Sequence, residues 1–160
     1  NDPVRKGLVY CAKAATILKS RYSDLDFRVI GAVDERIVNN PAFQDLHFIG
    51  VLNAHDLQWE YETAEAYVFP TLFEGFAGTV IEAASCGCPI ITTEAAGTDM
   101  DKFPAIYIPR YDSNAIVSSV ISIFENPNMR NDLSYRTFKY AQCLSADVYE
   151  KKLIDIMKKI

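Results

Sequence analysis

The chain has 160 residues, 49% of them hydrophobic and 23% charged, and carries a formal net charge of −5 at pH 7. That length supports one compact domain with a core of its own. The acidic balance argues against a nucleic-acid partner, whose phosphates require a basic field. The apolar runs fall short of the roughly eighteen residues that a membrane-spanning helix requires.

In chain order, residues 7–22 place Leu8, Ala12, Ala15, Ile17 and Leu18 at near-helical spacing with lysines between them, which predicts a helix. DFRVIG (26–31) reads as a short strand ending in glycine, and LHFIGV (46–51) as a second strand. HDLQWEYETA (55–64) is predicted helical, with Asn53 as its candidate cap. EAYVFP (65–70) is a third strand stopped by Pro70, and GTVIEAASCG (78–87) is a short helix closed by Gly87. PIITTE (89–94) is a β-branched fourth strand, and AIYIP (105–109) a fifth. From 112 onward the pattern is helical, over 112–125, 128–143 and 146–159, with Pro127 separating the first two.

Strands alternating with helices imply a parallel sheet covered on both faces. The expected fold is one Rossmann-like, doubly wound α/β domain over 1–160, with terminal helices from about residue 112. Such a domain normally opens with a central strand, whereas this sequence opens on NDPVRKGL, a loop entering a helix. An incomplete sheet is therefore expected, its first strand missing from the chain or supplied by something else. Cys11, Cys86, Cys88 and Cys143 show no zinc spacing and read as reduced thiols. The opening residues do not read as a signal peptide, and a cytoplasmic location is expected.

In sheets of this kind ligands bind outside the carboxyl ends of the strands. There lies FEGFAGTVIEAASCGCPIITTE (73–94), in which Glu74 and Glu82 flank a stretch of small residues. The N-terminus of a helix offers unpaired N–H groups and a positive dipole end, to which anions bind. Gly75, Ala77, Gly78 and Thr79 keep the approach open, and Thr79 adds a hydroxyl. Glu74, at a strand end, suits sugar hydroxyls; Glu82, one turn into the helix, suits the two hydroxyls of a ribose. A tight strand-to-helix turn that needs glycine for its dihedrals is the competing explanation.

The order P-x3-E-G-F-x-G-x3-E-A-x3-G-x-P, carried here by Pro70, Glu74, Gly75, Phe76, Gly78, Glu82, Ala83, Gly87 and Pro89, resembles the E-x7-E signature of retaining GT-B glycosyltransferases of the large group-1 family. The likeness extends over most of the chain, from RKGLVYCAKAATILK through FRVIG, LHFIGVL and AEAYVFPTLFEGF to the final helices. It implies the C-terminal, nucleotide-sugar-binding half of such an enzyme. In this resemblance Glu74 contacts hydroxyls of the donor sugar near the reacting centre, and Glu82 holds the ribose. The backbone from Phe76 to Val80 meets sugar and diphosphate. Lys6 neutralises the departing diphosphate, and the backbone near Val51 and Leu52 faces the base. Gly97 and Thr98 are candidates for phosphate or sugar contact. An arginine usually partners the lysine, but its place falls at or before Asn1, and Arg5 does not occupy it.

The resemblance implies no metal and no cofactor beyond the nucleoside-diphosphate sugar used as donor. It implies an acceptor held by an N-terminal GT-B domain, an isolated C-terminal half that turns over nothing measurable, and a role in polysaccharide biosynthesis. Lys151, Lys152, Lys158 and Lys159 on the last helix offer a basic face to an anionic membrane surface, which would make the protein peripheral at the inner face. Two other readings share the fold: a nucleotide-sugar epimerase, for which no acid–base pair stands out, and a noncatalytic partner-binding domain. His47 reads as structural, and His55 as a weak candidate near the base. Trp59 and Tyr61 are expected to pack a helix on the sheet. G-x-S-x-G, G-x-G-x-x-G and the P-loop pattern are all absent.

Overall fold

The structure, a computed structural model, describes residues 2–144. The chain enters α1 (Leu8–Arg21) through Gly7, which holds a left-handed conformation at φ 78°. Leu8, Cys11, Ala12, Ala14, Ala15 and Leu18 form the buried face of α1. The alanines let it lie close against α5 (Ser113–Glu125), whose Ile116, Val120 and Ile123 fill the same cluster. Each side chain of that size, once buried, stabilises the fold by roughly 1.5–3 kcal/mol.

β1 (Arg28–Ile30) pairs in parallel with β2 (His47–Gly50), and Arg28 stands opposite His47. β3 (Tyr67–Phe69), β4 (Ile90–Thr92) and β5 (Ile106–Tyr107) form a second parallel sheet in that order. β4 runs down its middle and is buried throughout. Its β-branched sequence suits that position: Ile90 and Ile91 pack on both faces, and the Thr92 hydroxyl donates to the Phe69 carbonyl at 2.8 Å. Among the described residues no strand ladder joins the two sheets, which agrees with the expected incomplete sheet. Instead they share one apolar cluster, which holds the buried face of α1 together with Val29 and Phe48 of the first sheet and Val68 and Ile91 of the second.

Every expected strand forms, but each is shorter than its apolar run. The run 89–94 ends as strand at Thr92, and Glu94–Ala96 closes into a single 3-10 turn that becomes part of the candidate site. α2 (Glu35–Val38), capped by the Asp34 carboxylate, and a 3-10 turn at Pro41–Phe43, capped by the Asn40 side chain, were not expected. Both are too short to show periodicity. α3 (Ala54–Thr63) starts at the Asn53 cap, whose side chain accepts from the Asp56 N–H. The expected helix-packing role of Trp59 and Tyr61 divides: Tyr61 is buried and Trp59 is exposed. α4 (Gly78–Ser85) packs on α6 (Pro127–Gln142). Pro127 does not separate α5 from α6 but begins α6, where its missing N–H costs nothing; the break falls at Asn126, whose side chain caps the helix. His47 is paired with Asp26. The expected helix at 146–159, with its four lysines and its membrane contact, lies outside the described residues. No described helix is long and apolar enough to cross a membrane.

Candidate donor-binding site at the strand ends

Three loop segments converge where β3 and β4 end. The first is the loop 3–7, fastened to 70–74 by its backbone. The Arg5 carbonyl accepts from the Leu72 N–H at 2.8 Å and from the Thr71 hydroxyl at 3.2 Å. Gly7 lies so close to Pro70 that only glycine fits there, and its positive φ imposes the same choice. Lys6 is thereby carried over the end of β3, with its ammonium 5.7 Å from the centroid of the Phe69 ring. Arg5 reaches further, and its Nη1 donates to the Phe73 carbonyl at 2.6 Å and to the Glu74 carboxylate at 2.7 Å.

The second segment, 71–77, is held from behind by the third, the turn 94–97. The Glu74 N–H donates to the Ala95 carbonyl at 2.8 Å, and the Ala77 N–H to the Ala96 carbonyl at 3.0 Å. Gly97, at φ 72°, presses on Gly75. The donor amides of this loop are therefore fewer than the sequence suggests. From 74 to 80, the N–H groups of Glu74, Ala77, Gly78 and Val80 are bonded to carbonyls of the chain itself, and those of Gly75, Phe76 and Thr79 are not. The Val80 side chain is fully buried, so nothing of Val80 is left to a ligand.

Gly75 and Gly78 behave differently from Gly7 and Gly97. Neither has a positive φ, and a methyl group on either would meet nothing within 4 Å. Turn geometry does not demand them, and what their lack of a side chain provides is open access to the backbone. Thr79 is engaged from below: the Tyr67 O–H donates to Thr79 Oγ1 at 3.0 Å. Burial pushes the Tyr67 phenol up to about 12, so it stays a donor and leaves the Thr79 hydroxyl proton for another acceptor.

These groups line one cavity of about 410 Å³. Arg5, Lys6 and Glu74 line it together with Gly78, Thr79 and Glu82 of α4 and with Phe69, Phe76 and Ala77. The volume is within the range of small-ligand sites. Glu74 is largely buried, whereas Glu82 is exposed and makes no ion pair among the described residues. Val51 and Leu52, after β2, do not line this cavity, and neither does Gly97, which supports it through Gly75. The Thr98 hydroxyl is bonded to the Tyr107 phenol, away from the cavity lining. His55 is exposed beside Asp56 and lies outside it as well. A smaller hollow of about 220 Å³ between the end of α3 and α6 lies away from the strand ends, with Glu65 and Arg130 paired at its wall.

Two features of the site escaped the sequence, the Arg5–Glu74 pair and the carbonyls of Ala95 and Ala96. The positions of Arg5 beside Lys6 and of the small-residue run AAG after β4 were the only available signals.

Comparison with known proteins agrees with this architecture. The family model for group 1 glycosyl transferases matches residues 2–126. The chain is 25% identical over 151 residues to D-inositol 3-phosphate glycosyltransferase of Arthrobacter sp. (strain FB24), an alignment that covers 86% of this chain and 36% of that protein. It is 22% identical over 116 residues to O-antigen chain mannosyltransferase B of Escherichia coli, covering 68% of this chain and 30% of that one. The chain thus spans about a third of the length of these curated relatives. Among solved structures, sucrose-phosphate synthase of Thermosynechococcus elongatus superimposes with a TM-score of 0.80 at 21% identity, covering 97% of this chain and 42% of that one. Anabaena HepE in complex with UDP and glucose superimposes with a TM-score of 0.79 at 14% identity, covering 100% and 46%. The chain belongs to the group 1 glycosyl transferases, and its fold is that of the Rossmann-like C-terminal domain of GT-B enzymes.

Proposed function

We propose that this chain binds a nucleoside-diphosphate sugar in the 410 Å³ cavity and supports transfer of the sugar, with retention of anomeric configuration, to an acceptor held by an N-terminal GT-B domain. The observation that carries this reading is the pair of carboxylates, Glu74 and Glu82, that flanks an unobstructed helix start in a single cavity. The glycines between them answer no packing or backbone need, and a ligand is the remaining reason for them.

In this reading the diphosphate lies at the first turn of α4. It takes the N–H groups of Gly75, Phe76 and Thr79 and the Thr79 hydroxyl, with the helix dipole adding a partial positive charge. Lys6 faces the same ligand. As the bond between sugar and diphosphate breaks, positive charge builds on the sugar ring and negative charge on the leaving diphosphate. Fixed donors aimed at that negative charge lower the barrier without reorganising. Glu74 accepts from sugar hydroxyls and Glu82 from those of the ribose. Protein cations and amides do this work without a metal. A neighbour of the same fold, HepE, is known in complex with UDP and glucose.

Calorimetric titration of the full-length protein with UDP, GDP and ADP tests the reading. One of the three is expected to bind, and E82A is expected to weaken that binding. Failure of all three at millimolar concentration overturns it. The chain 1–160 by itself is expected to bind donor weakly and to transfer no sugar, so appreciable transfer by it overturns the assignment of the acceptor to another domain.

A further inference from the structure

We propose that Arg5 is a donor-site residue with two partners. Its Nη1 holds the Glu74 carboxylate, and its remaining N–H groups take an oxygen of the diphosphate, so one side chain couples the sugar end of the site to the diphosphate end. The proposal rests on the donor-site reading above and deepens it.

Four observations support it. Arg5 lines the same cavity as Lys6, Glu74 and the first turn of α4. Its backbone is fixed there, because the carbonyl accepts from both Leu72 and Thr71. The pair with Glu74 is sheltered, with the two side chains 35% and 18% exposed, so solvent screens it less than a surface pair. Both contacts recorded among the described residues come from Nη1, and a guanidinium has five N–H donors, so Nε and Nη2 are left for a ligand.

The charge distribution gives the reason for such a residue. The cavity holds the carboxylates of Glu74 and Glu82 and the cations of Arg5 and Lys6. A diphosphate entering beside two carboxylates with Lys6 alone would meet a net negative surround. Arg5 neutralises the more buried of the two acids and adds a forked donor at the same point. A lysine supplies the charge but cannot hold a carboxylate and a phosphate through a planar fork.

The test compares wild type with R5A, R5Q and R5K in the full-length protein, by calorimetric titration of UDP, GDP and ADP and of the nucleosides uridine, guanosine and adenosine. R5A is expected to lose roughly tenfold to a hundredfold in affinity for the preferred diphosphate. Nucleoside affinity should stay as in wild type, while the melting temperature falls by a few degrees, because the sheltered Glu74 carboxylate loses its partner. R5K should recover part of the loss. If R5A does not fold, R5Q reads the same comparison. Diphosphate affinity within about twofold of wild type in R5A or R5Q overturns the proposal and leaves the donor-site reading standing. Equal loss for nucleoside and diphosphate also overturns it, because Arg5 then acts only through the fold. Absence of diphosphate binding by wild type overturns both.

Discussion

A methyl group placed on Gly7 would lie 2.2 Å from the carbonyl oxygen of Pro70. This approach joins the loop before α1 to the end of β3, and it sets where Lys6 and Arg5 stand. Two penalties meet in G7A: the left-handed backbone at φ 78°, costing about 1–2 kcal/mol, and a clash with main chain that has no rotamer to escape into. We expect G7A to lose about 3 kcal/mol of stability, a fall in melting temperature on the order of 6–12 °C for a chain of this size. Diphosphate affinity should fall with it. An unchanged melting curve would mean that the loop is free to move away from Pro70.

The site glycines should divide into two kinds. G97A puts a methyl group 2.4 Å from the Gly75 carbonyl oxygen at a φ of 72°, so it should lower both stability and diphosphate affinity. G78A meets nothing within 4 Å and lies at the start of α4 with an ordinary φ. Alanine in place of glycine there should leave stability unchanged or raise it by up to about 1 kcal/mol. Yet its methyl group covers the amides of the first turn, so diphosphate affinity should drop at least about tenfold. Thermal melts paired with calorimetry separate the two effects. Tight diphosphate binding by G78A would remove the argument that this backbone is bare for a ligand.

What could be read from the sequence was whatever depends on local pattern. The runs DFRVIG, LHFIGV, EAYVFP, PIITTE and AIYIP each contain a strand, because burial selects apolar β-branched residues over a few positions. The spacing of Glu74 and Glu82 across a helix start placed both on one cavity. What could not be read depends on contacts far apart in the chain. Nothing local indicates that Ala95 and Ala96 would bond the N–H groups of Glu74 and Ala77 and so remove two amides from the anion site. Nor does the dipeptide Arg5-Lys6 announce that the first residue turns to Glu74 while the second lies over Phe69. The strand ends were misjudged for a related reason: apolar character continues through residues such as Thr93, whose hydroxyl bonds the Thr71 carbonyl at 2.6 Å after the ladder has ended.

The core should make the protein sensitive to alkali. Burial pushes the Cys11 and Cys88 thiols from 9.0 up to about 12 and the Tyr67 phenol from 10.0 up to about 12, and it raises Tyr61 as well. The folded state therefore keeps these protons at pH values where the unfolded chain has released them. Their stabilisation is fully present below pH 9 and is lost as pH rises toward 12. Each group contributes at most roughly 1.4 kcal/mol per pH unit within its window. Urea unfolding at pH 7.5, 9, 10 and 10.5 should show a constant midpoint up to about pH 9 and a falling one above it. In C11A the fall should be shallower. A midpoint that stays level to pH 10.5 would contradict the burial of these groups.

Glu82 provides the most selective test of the ligand's orientation. It is exposed and unpaired among the described residues, so E82A should change stability by no more than about 0.5 kcal/mol. A carboxylate that accepts from ribose hydroxyls discriminates against a donor lacking one of them, because hydrogen bonds to charged groups carry roughly 1.5–3 kcal/mol. Wild type should therefore prefer the ribonucleoside diphosphate over its 2′-deoxy form by at least about tenfold. E82A should bind both with the same reduced affinity. If E82A weakens binding but keeps the preference, the ribose is held elsewhere, and the diphosphate enters the cavity in the opposite direction, with the sugar toward Glu82 rather than Glu74.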